Sequence, residues 1–321
     1  MLTRGRKVLW LSVLAFLLLL AGAGFAMNPY FLQVASIIAI FIIPTISMRV
    51  SLIAGQTNIG VIGFFAVGGY ASAVLSMKLG LPFLVAVPVG GLVAAMVGFF
   101  LGTLIMKLGD LYFIIITWGF LELARSIAIK ATPITGGPFG LVGIPPISIG
   151  SVTLHGGWQF AFILMTTAVV LLILYRLEYS RLGLTWKGIA QAPSLAEAVG
   201  VNVYLFKLVS FTISCFVAGV GGAMFAHYMG VLQPVTFTFL LATTVIIWNF
   251  FGGTKHFIGP VIGAIILLLA VEPMRELEQY EMLVYAAVII LATVFLPDGI
   301  ISIRQRLSVA RSRIRDLRRS S

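Results

Sequence analysis

The chain has 321 residues, 60% of them hydrophobic and only 10% charged, with a formal net charge of +11. Soluble domains are about one quarter charged, so this composition excludes an ordinary soluble domain and points to a polytopic membrane protein. A single cysteine, Cys215, excludes an internal disulfide framework and a cysteine-rich metal site.

The first apolar run, Val8 to Ala26, follows a basic start and ends near an A-x-A pattern. Its 19 residues are enough to span, so it reads as a retained helix rather than a cleaved signal peptide. Further runs near 31–50, 59–77, 82–106, 111–130, 158–176, 203–228, 237–252, 257–272 and 281–297 bring the total to about ten spans of ~20 residues. Basic residues at Arg4, Arg6, Lys7, Arg49, Lys107, Arg176, Arg181, Lys187, Lys207 and Lys255 then collect on one side, the cytoplasmic one. An even span count puts both termini there. Residues 1–303 read as one membrane domain and 304–321 as a basic cytoplasmic tail. Seven of the 21 Lys and Arg residues lie in that tail, where they face anionic lipid headgroups rather than nucleic acid.

Glycines recur inside the spans, as in "GFFLG" (98–102), "AGVGGA" (218–223) and "GPVIG" (259–263). In lipid, small residues let helix backbones approach closely, and packing is the simpler reading for most of them. Pro44 and Pro88 fall inside spans and predict kinks.

Enzymatic chemistry starts from a poor position. The sequence contains no G-x-x-x-x-G-K-[ST] phosphate loop, no H-E-x-x-H and no G-x-S-x-G elbow, and His155, His227 and His256 are isolated in sequence. The informative span is "GDLYFIIITWGFLELARSIAIK" (109–130). At helical spacing Tyr112, Ile115, Gly119, Glu122 and Ser126 share one face, a partly polar stripe of the kind that lines a solute pathway. The simpler reading is that Glu122 pairs with Arg125 at i,i+3 and locks the bundle. Thr117 lies in the same span. Gln56 and Asn58, in "AGQTNIGVIGFFAVGGY" (54–70), either cap a helix or present amides to a solute. The outer segment "TPITGGPFGLVGIPP" (132–146) carries turn chemistry throughout, as a surface loop or as an entrance lid and docking surface.

Between the sixth and seventh spans lies "LTWKGIAQAPSLAEAVGVNV" (184–203). Ser194-Leu195-Ala196-Glu197 has the spacing of a capping box, with Ser194 at the N-cap and Glu197 at N3. Gly200 supplies a stop and Asn202 is placed to cap the next span. A helix of about five residues is too short to be stable alone and needs support from neighbours or a partner. It is either an ordinary connection or a rigid knob for a cytoplasmic protein, with Ala196, Ala198 and Val199 as small apolar contacts.

Five stretches in this order resemble the permease subunits of branched-chain amino acid ABC importers, the LivM type: "AGQTNIGVIGFFAVGGY" (54–70), "KLGDLYFIIITWGFLE" (107–122), "TGGPFGLVGIP" (135–145), "LAEAVGVN" (195–202) and "GGTKHFIGPVIGA" (252–264). The resemblance implies an all-α bundle of the cobalamin-importer-like class in a bacterial inner membrane, carrying a branched-chain or other amino acid. It further implies a second homologous permease, two cytoplasmic ATPases that bind ATP and Mg, and an extracytoplasmic binding protein; the chain itself holds no cofactor. Residues 194–200 (Ser194, Leu195, Ala196, Glu197, Ala198, Val199, Gly200) would form the helix that docks on an ATPase. Gln56, Asn58, Tyr112, Thr117, Gly119 and Glu122 are candidates for the solute pathway, and Thr135, Gly136, Gly137 and Phe139 for binding-protein docking or an outer gate. The chain departs from the family at Asn58 (commonly Ser), Val61 (His), Gly69 (Ala) and Trp118 (Leu). "AQAP" (190–193) also replaces an Arg-Glu pair. These changes leave the solute open. An ion-coupled secondary transporter and a non-transporting membrane scaffold stand as alternatives, although ionisable groups at membrane depth are few.

Overall fold

A computed structural model describes residues 28–150 and 152–272. Among the described residues six helices are long and apolar enough to cross a membrane: α1 (Pro29–Leu52), α2 (Val61–Leu79), α3 (Phe83–Ile105), α4 (Asp110–Lys130), α6 (Gly157–Glu178) and α9 (Val203–Met229). They coincide with six predicted spans within a few residues. The predicted spans at 8–26 and 281–297, and the basic tail, lie outside the described residues. The segments at 237–252 and 257–272 form shorter helices, α10 (Phe239–Gly252) and α11 (Gly259–Val271), of 14 and 13 residues. At 1.5 Å per residue each reaches about 20 Å, short of a ~30 Å hydrocarbon core.

Glycine decides how the helices pack. α9 lies against α1, α2 and α3. A Cβ on Gly222 would collide with the Phe65 carbonyl of α2, and one on Gly68 with the backbone of Gly219. Gly98 and Gly102 of "GFFLG" leave room for Cys215, Leu208 and Phe211 of α9, while Gly259 and Gly263 let α11 seat on the backbone of Gly252, Gly253 and Trp248. Short polar bonds add to this packing. Ser210 donates to the Val50 carbonyl at 2.7 Å, Ser47 to the Ser214 carbonyl at 2.6 Å, and Thr167 of α6 to the Ala39 carbonyl at 3.0 Å. In hydrocarbon such bonds replace hydrophobic burial as the means of association. Pro44 and Pro88 sit inside continuous helices.

The described fold is not purely helical. The outer segment, placed on that side by the expected topology, forms a one-turn helix α5 (Thr132–Thr135), a 3-10 turn (Gly137–Phe139) and strand β1 (Leu141–Val142). β1 pairs antiparallel with β4 (Val231–Leu232) after α9, and β2 (Ser148–Ile149) pairs with β3 (Val152–Thr153). Six glycines between 136 and 156 adopt positive φ, which breaks helices and leaves two-residue ladders as the way to satisfy backbone groups.

Candidate functional site

The connection between α6 and α9, expected on the cytoplasmic side, is more structured than its sequence suggested. α7 (Arg181–Gln191) precedes α8 (Pro193–Ala198). Gly183, Trp186 and Ile189 recur every three residues and are buried, so α7 lies with one face on the bundle. Trp186 donates its indole N–H to the Phe206 carbonyl at 2.8 Å. α8 stands away from that support and buries none of its residues; Leu195 is 64% exposed and Val199 73%.

The capping box does not form. The helix begins two residues earlier than expected, with Ala192 at the N-cap and no side-chain cap bond. Pro193 occupies the first helical position, where its fixed φ is favourable and its missing N–H costs nothing, which carries Ser194 past the capping position. The other end matches the reading of Gly200 as a stop. Gly200 has φ +84°, its N–H bonds the Glu197 carbonyl at 2.9 Å, and the Val201 N–H bonds the Ala196 carbonyl at 3.0 Å. These are the two bonds of a Schellman motif. Asn202 accepts from the Leu205 N–H and caps α9.

Behind α7 lies a cluster that the sequence did not reveal. Arg49, on α1, makes two bonds to Glu178 at the end of α6, 2.8 and 2.9 Å, and donates to the Thr254 carbonyl at 2.9 Å. Lys187 of α7 reaches the same carboxylate at 2.9 Å. The Arg49 and Glu178 side chains are only 3% and 4% exposed. Gly183 makes the junction possible, since a Cβ there would strike the Glu178 backbone. A clue existed: opposite charges at the ends of the second and sixth spans that were expected on the cytoplasmic side. Arg49 counted there only as an orienting cation.

The pathway candidates divide into two sets. Gln56, Asn58 and Thr117 are buried within the chain. Gly60 brings the start of α2 against α4, where a Cβ would lie 2.5 Å from the Thr117 carbonyl oxygen. Gln56 donates to the Met106 sulfur at 2.7 Å, whereas its oxygen and both polar atoms of the Asn58 amide find no partner among the described residues. Neither residue caps α2. Tyr112, Gly119 and Glu122 instead face outward. Tyr112 is 62% exposed, a Cβ on Gly119 would meet nothing within 4 Å, and Glu122 binds Arg125 at 2.8 Å in a pair about one third exposed. The predicted stripe exists, but it lines the outside of this chain.

In the outer segment Thr135 is buried and donates to the Ala128 and Ala131 carbonyls at 2.6 and 2.8 Å. Gly136 and Gly137 have φ of +74° and +65°, and Phe139 projects, 83% exposed. His227 of α9 ties the segment down: its Nδ1 lies 2.7 Å from the Pro145 carbonyl and its Nε2 2.9 Å from the Ser72 hydroxyl. A carbonyl only accepts, so Nδ1 carries a proton. Among the described residues no three His, Cys, Asp or Glu side chains gather as a metal site would require.

The family described as branched-chain amino acid transport system / permease component matches residues 30–293, most of the chain. The chain belongs to this family. It is 29% identical over 316 residues to the high-affinity branched-chain amino acid transport system permease protein LivM of Escherichia coli (strain K12), covering 91% of this chain and 74% of that one. The LivM protein of Salmonella typhimurium matches equally, at 29% over the same shares. The LivH permease protein of Escherichia coli is 25% identical over 147 residues, 45% of this chain and 46% of its own. No solved structure matches. Membership together with the six apolar helices makes this an integral membrane protein of a permease family.

Proposed function

We propose that the chain is the transmembrane permease subunit of an ABC importer that translocates a small polar organic solute, a branched-chain or other amino acid, by alternating access. The observation that carries this reading is the α7–α8 unit. An amphipathic helix is anchored by Trp186 and Ile189, yet it leads into a capped helix that buries nothing within the chain and offers Leu195 and Val199 to the cytoplasm. A structured apolar knob of this kind fits a cleft in a partner. In this reading the partners are two cytoplasmic ATPases, which bind the ATP and Mg, and their closure pushes α8. Lacking a phosphate loop of its own, the chain is a transport subunit rather than an ATPase.

The outward stripe of α4 supports a second, homologous permease beside it, with Tyr112, Gly119 and Glu122 enclosed between the two. Such a stripe facing lipid would be costly. Buried Gln56 and Asn58 stand nearer the cytoplasmic end of that pathway. The extracytoplasmic binding protein would dock over the surface that bears Phe139. In this reading the membrane is a bacterial inner membrane, and the basic residues put both termini on its cytoplasmic side.

Reconstitution in liposomes tests this. Uptake of radiolabelled leucine should require ATP inside and all partner subunits. Ala198→Arg, on α8, should leave insertion intact but separate ATP hydrolysis from uptake. Solute movement by the chain alone along an ion gradient would sink the proposal in favour of a secondary transporter.

A further inference from the structure

A cavity of about 320 Å³ opens at the cytoplasmic end of the bundle, between α1, the last turn of α7 and the loop that joins α10 to α11. Arg49, Lys187, Gln191, Asn249, Thr254 and Lys255 supply its polar lining. We propose that it is a binding site for a phosphate group whose other substituents include a hydrogen-bond donor.

Three observations point the same way. The Arg49 guanidinium has five N–H groups, and the bonds to Glu178 and Thr254 use three of them. Arg49 lines the cavity, and the carboxylate behind it fixes the guanidinium in place. Lys187 is held by that carboxylate as well, with its ammonium also 4.8 Å from the centre of the Tyr179 ring, so two cations share one anion. Finally, Asn249 is only 1% exposed and lines the same cavity. Its amide nitrogen donates to the Thr45 and Val245 carbonyls at 3.1 and 3.0 Å, which fixes the amide orientation. Its oxygen has no partner among the described residues. A buried acceptor left unpaired costs ~1–3 kcal/mol, and a donor on the ligand removes that cost. Positive donors on one side and a lone acceptor on the other describe a hydroxyl-bearing phosphate. The oxyanion comes either from a soluble metabolite or from a lipid headgroup at the membrane surface. The site stands independently of whether α8 docks on an ATPase.

The test uses the full chain and a gentle variant, Gln191→Glu, which places a carboxylate at the exposed rim without breaking any bond described above. Thermal unfolding followed by tryptophan fluorescence is recorded against rising inorganic phosphate at constant ionic strength, with chloride as the control. A parallel series uses nanodiscs containing phosphatidylglycerol or only phosphatidylcholine. The expected result is a saturable stabilisation by phosphate whose half-saturating concentration rises about tenfold or more in Gln191→Glu, as a like charge at the rim requires. If the source is lipid, phosphatidylglycerol gives the stabilisation and removes the response to phosphate, and Gln191→Glu weakens it by the same factor. Lys187→Gln, read the same way, should weaken either response further. Identical responses of wild type and Gln191→Glu to both probes overturn the proposal.

Discussion

Two Arg–Glu pairs occupy opposite situations in this molecule. Arg125 and Glu122 sit one turn apart on α4, about one third exposed, and involve one helix. Arg49 and Glu178 come from α1 and α6, 129 residues apart, and are almost fully buried. Lys187 and the Thr254 carbonyl bring α7 and the α10–α11 loop into the same cluster. Helix burial separates the two at α1 and α9, though not at α6, which buries 22% of its apolar window as α4 does. In α9, which packs beside α1, 72% of the apolar window is buried, against 22% in α4. Glycine follows suit, since Gly222 presses on the Phe65 carbonyl while Gly119 meets nothing. One region is finished within the chain, and the other is built for something outside it.

The closed region should be the more easily broken. Glu178→Ala strands Arg49 in the interior and should cost about 3–5 kcal/mol of stability, because removing one partner leaves an uncompensated buried charge. Replacing both partners, Arg49→Met with Glu178→Leu, should recover most of that loss. Unfolding midpoints in lipid nanodiscs measure both, and an Ala variant as stable as wild type would mean that the pair is not desolvated. A smaller contrast comes from the glycines. Gly222→Leu should destabilise by about 1–3 kcal/mol through overpacking. Gly119→Leu should stay within about 0.5 kcal/mol of wild type yet weaken association with a second permease subunit. Equal losses from both would erase the distinction between α9 and α4.

Much of this architecture was legible in the sequence because hydropathy and glycine spacing are local. Six spans, the close contacts of "GFFLG" and "GPVIG", the Gly200 stop and the Asn202 cap could each be read from neighbouring residues. The Glu122–Arg125 pair was legible for the same reason, since its partners lie three residues apart. The Arg49–Glu178 cluster was not, because its members become neighbours only when α6 returns beside α1. The direction of the α4 stripe was hidden too. Periodicity shows which residues share a face, but packing by other elements decides whether that face points in or out. At Ser194 a correct local pattern lost to a stronger local rule, the preference of Pro193 for the first helical turn. In the outer segment, turn residues were recognised but the pairing of β1 with β4, ninety residues later, was not.

The smallest expected effect is also the one that separates environments. Glu122→Gln keeps the shape of the side chain and a hydrogen bond to Arg125 but removes the charge. If the stripe of α4 faces a hydrated pathway between two permeases, Arg125 stays solvated, and the loss is that of an exposed i,i+3 pair, about 0.5 kcal/mol or less. If the stripe faces lipid, an unpaired Arg125 must be accommodated there at about 2.5–3.5 kcal/mol. The reading proposed above expects the smaller loss, together with reduced uptake in the reconstituted complex. Unfolding in nanodiscs and uptake in liposomes are therefore measured on the same variant. A small stability change with full uptake would leave Glu122 as a lock within its own helix, and a large one would remove the second permease from this face.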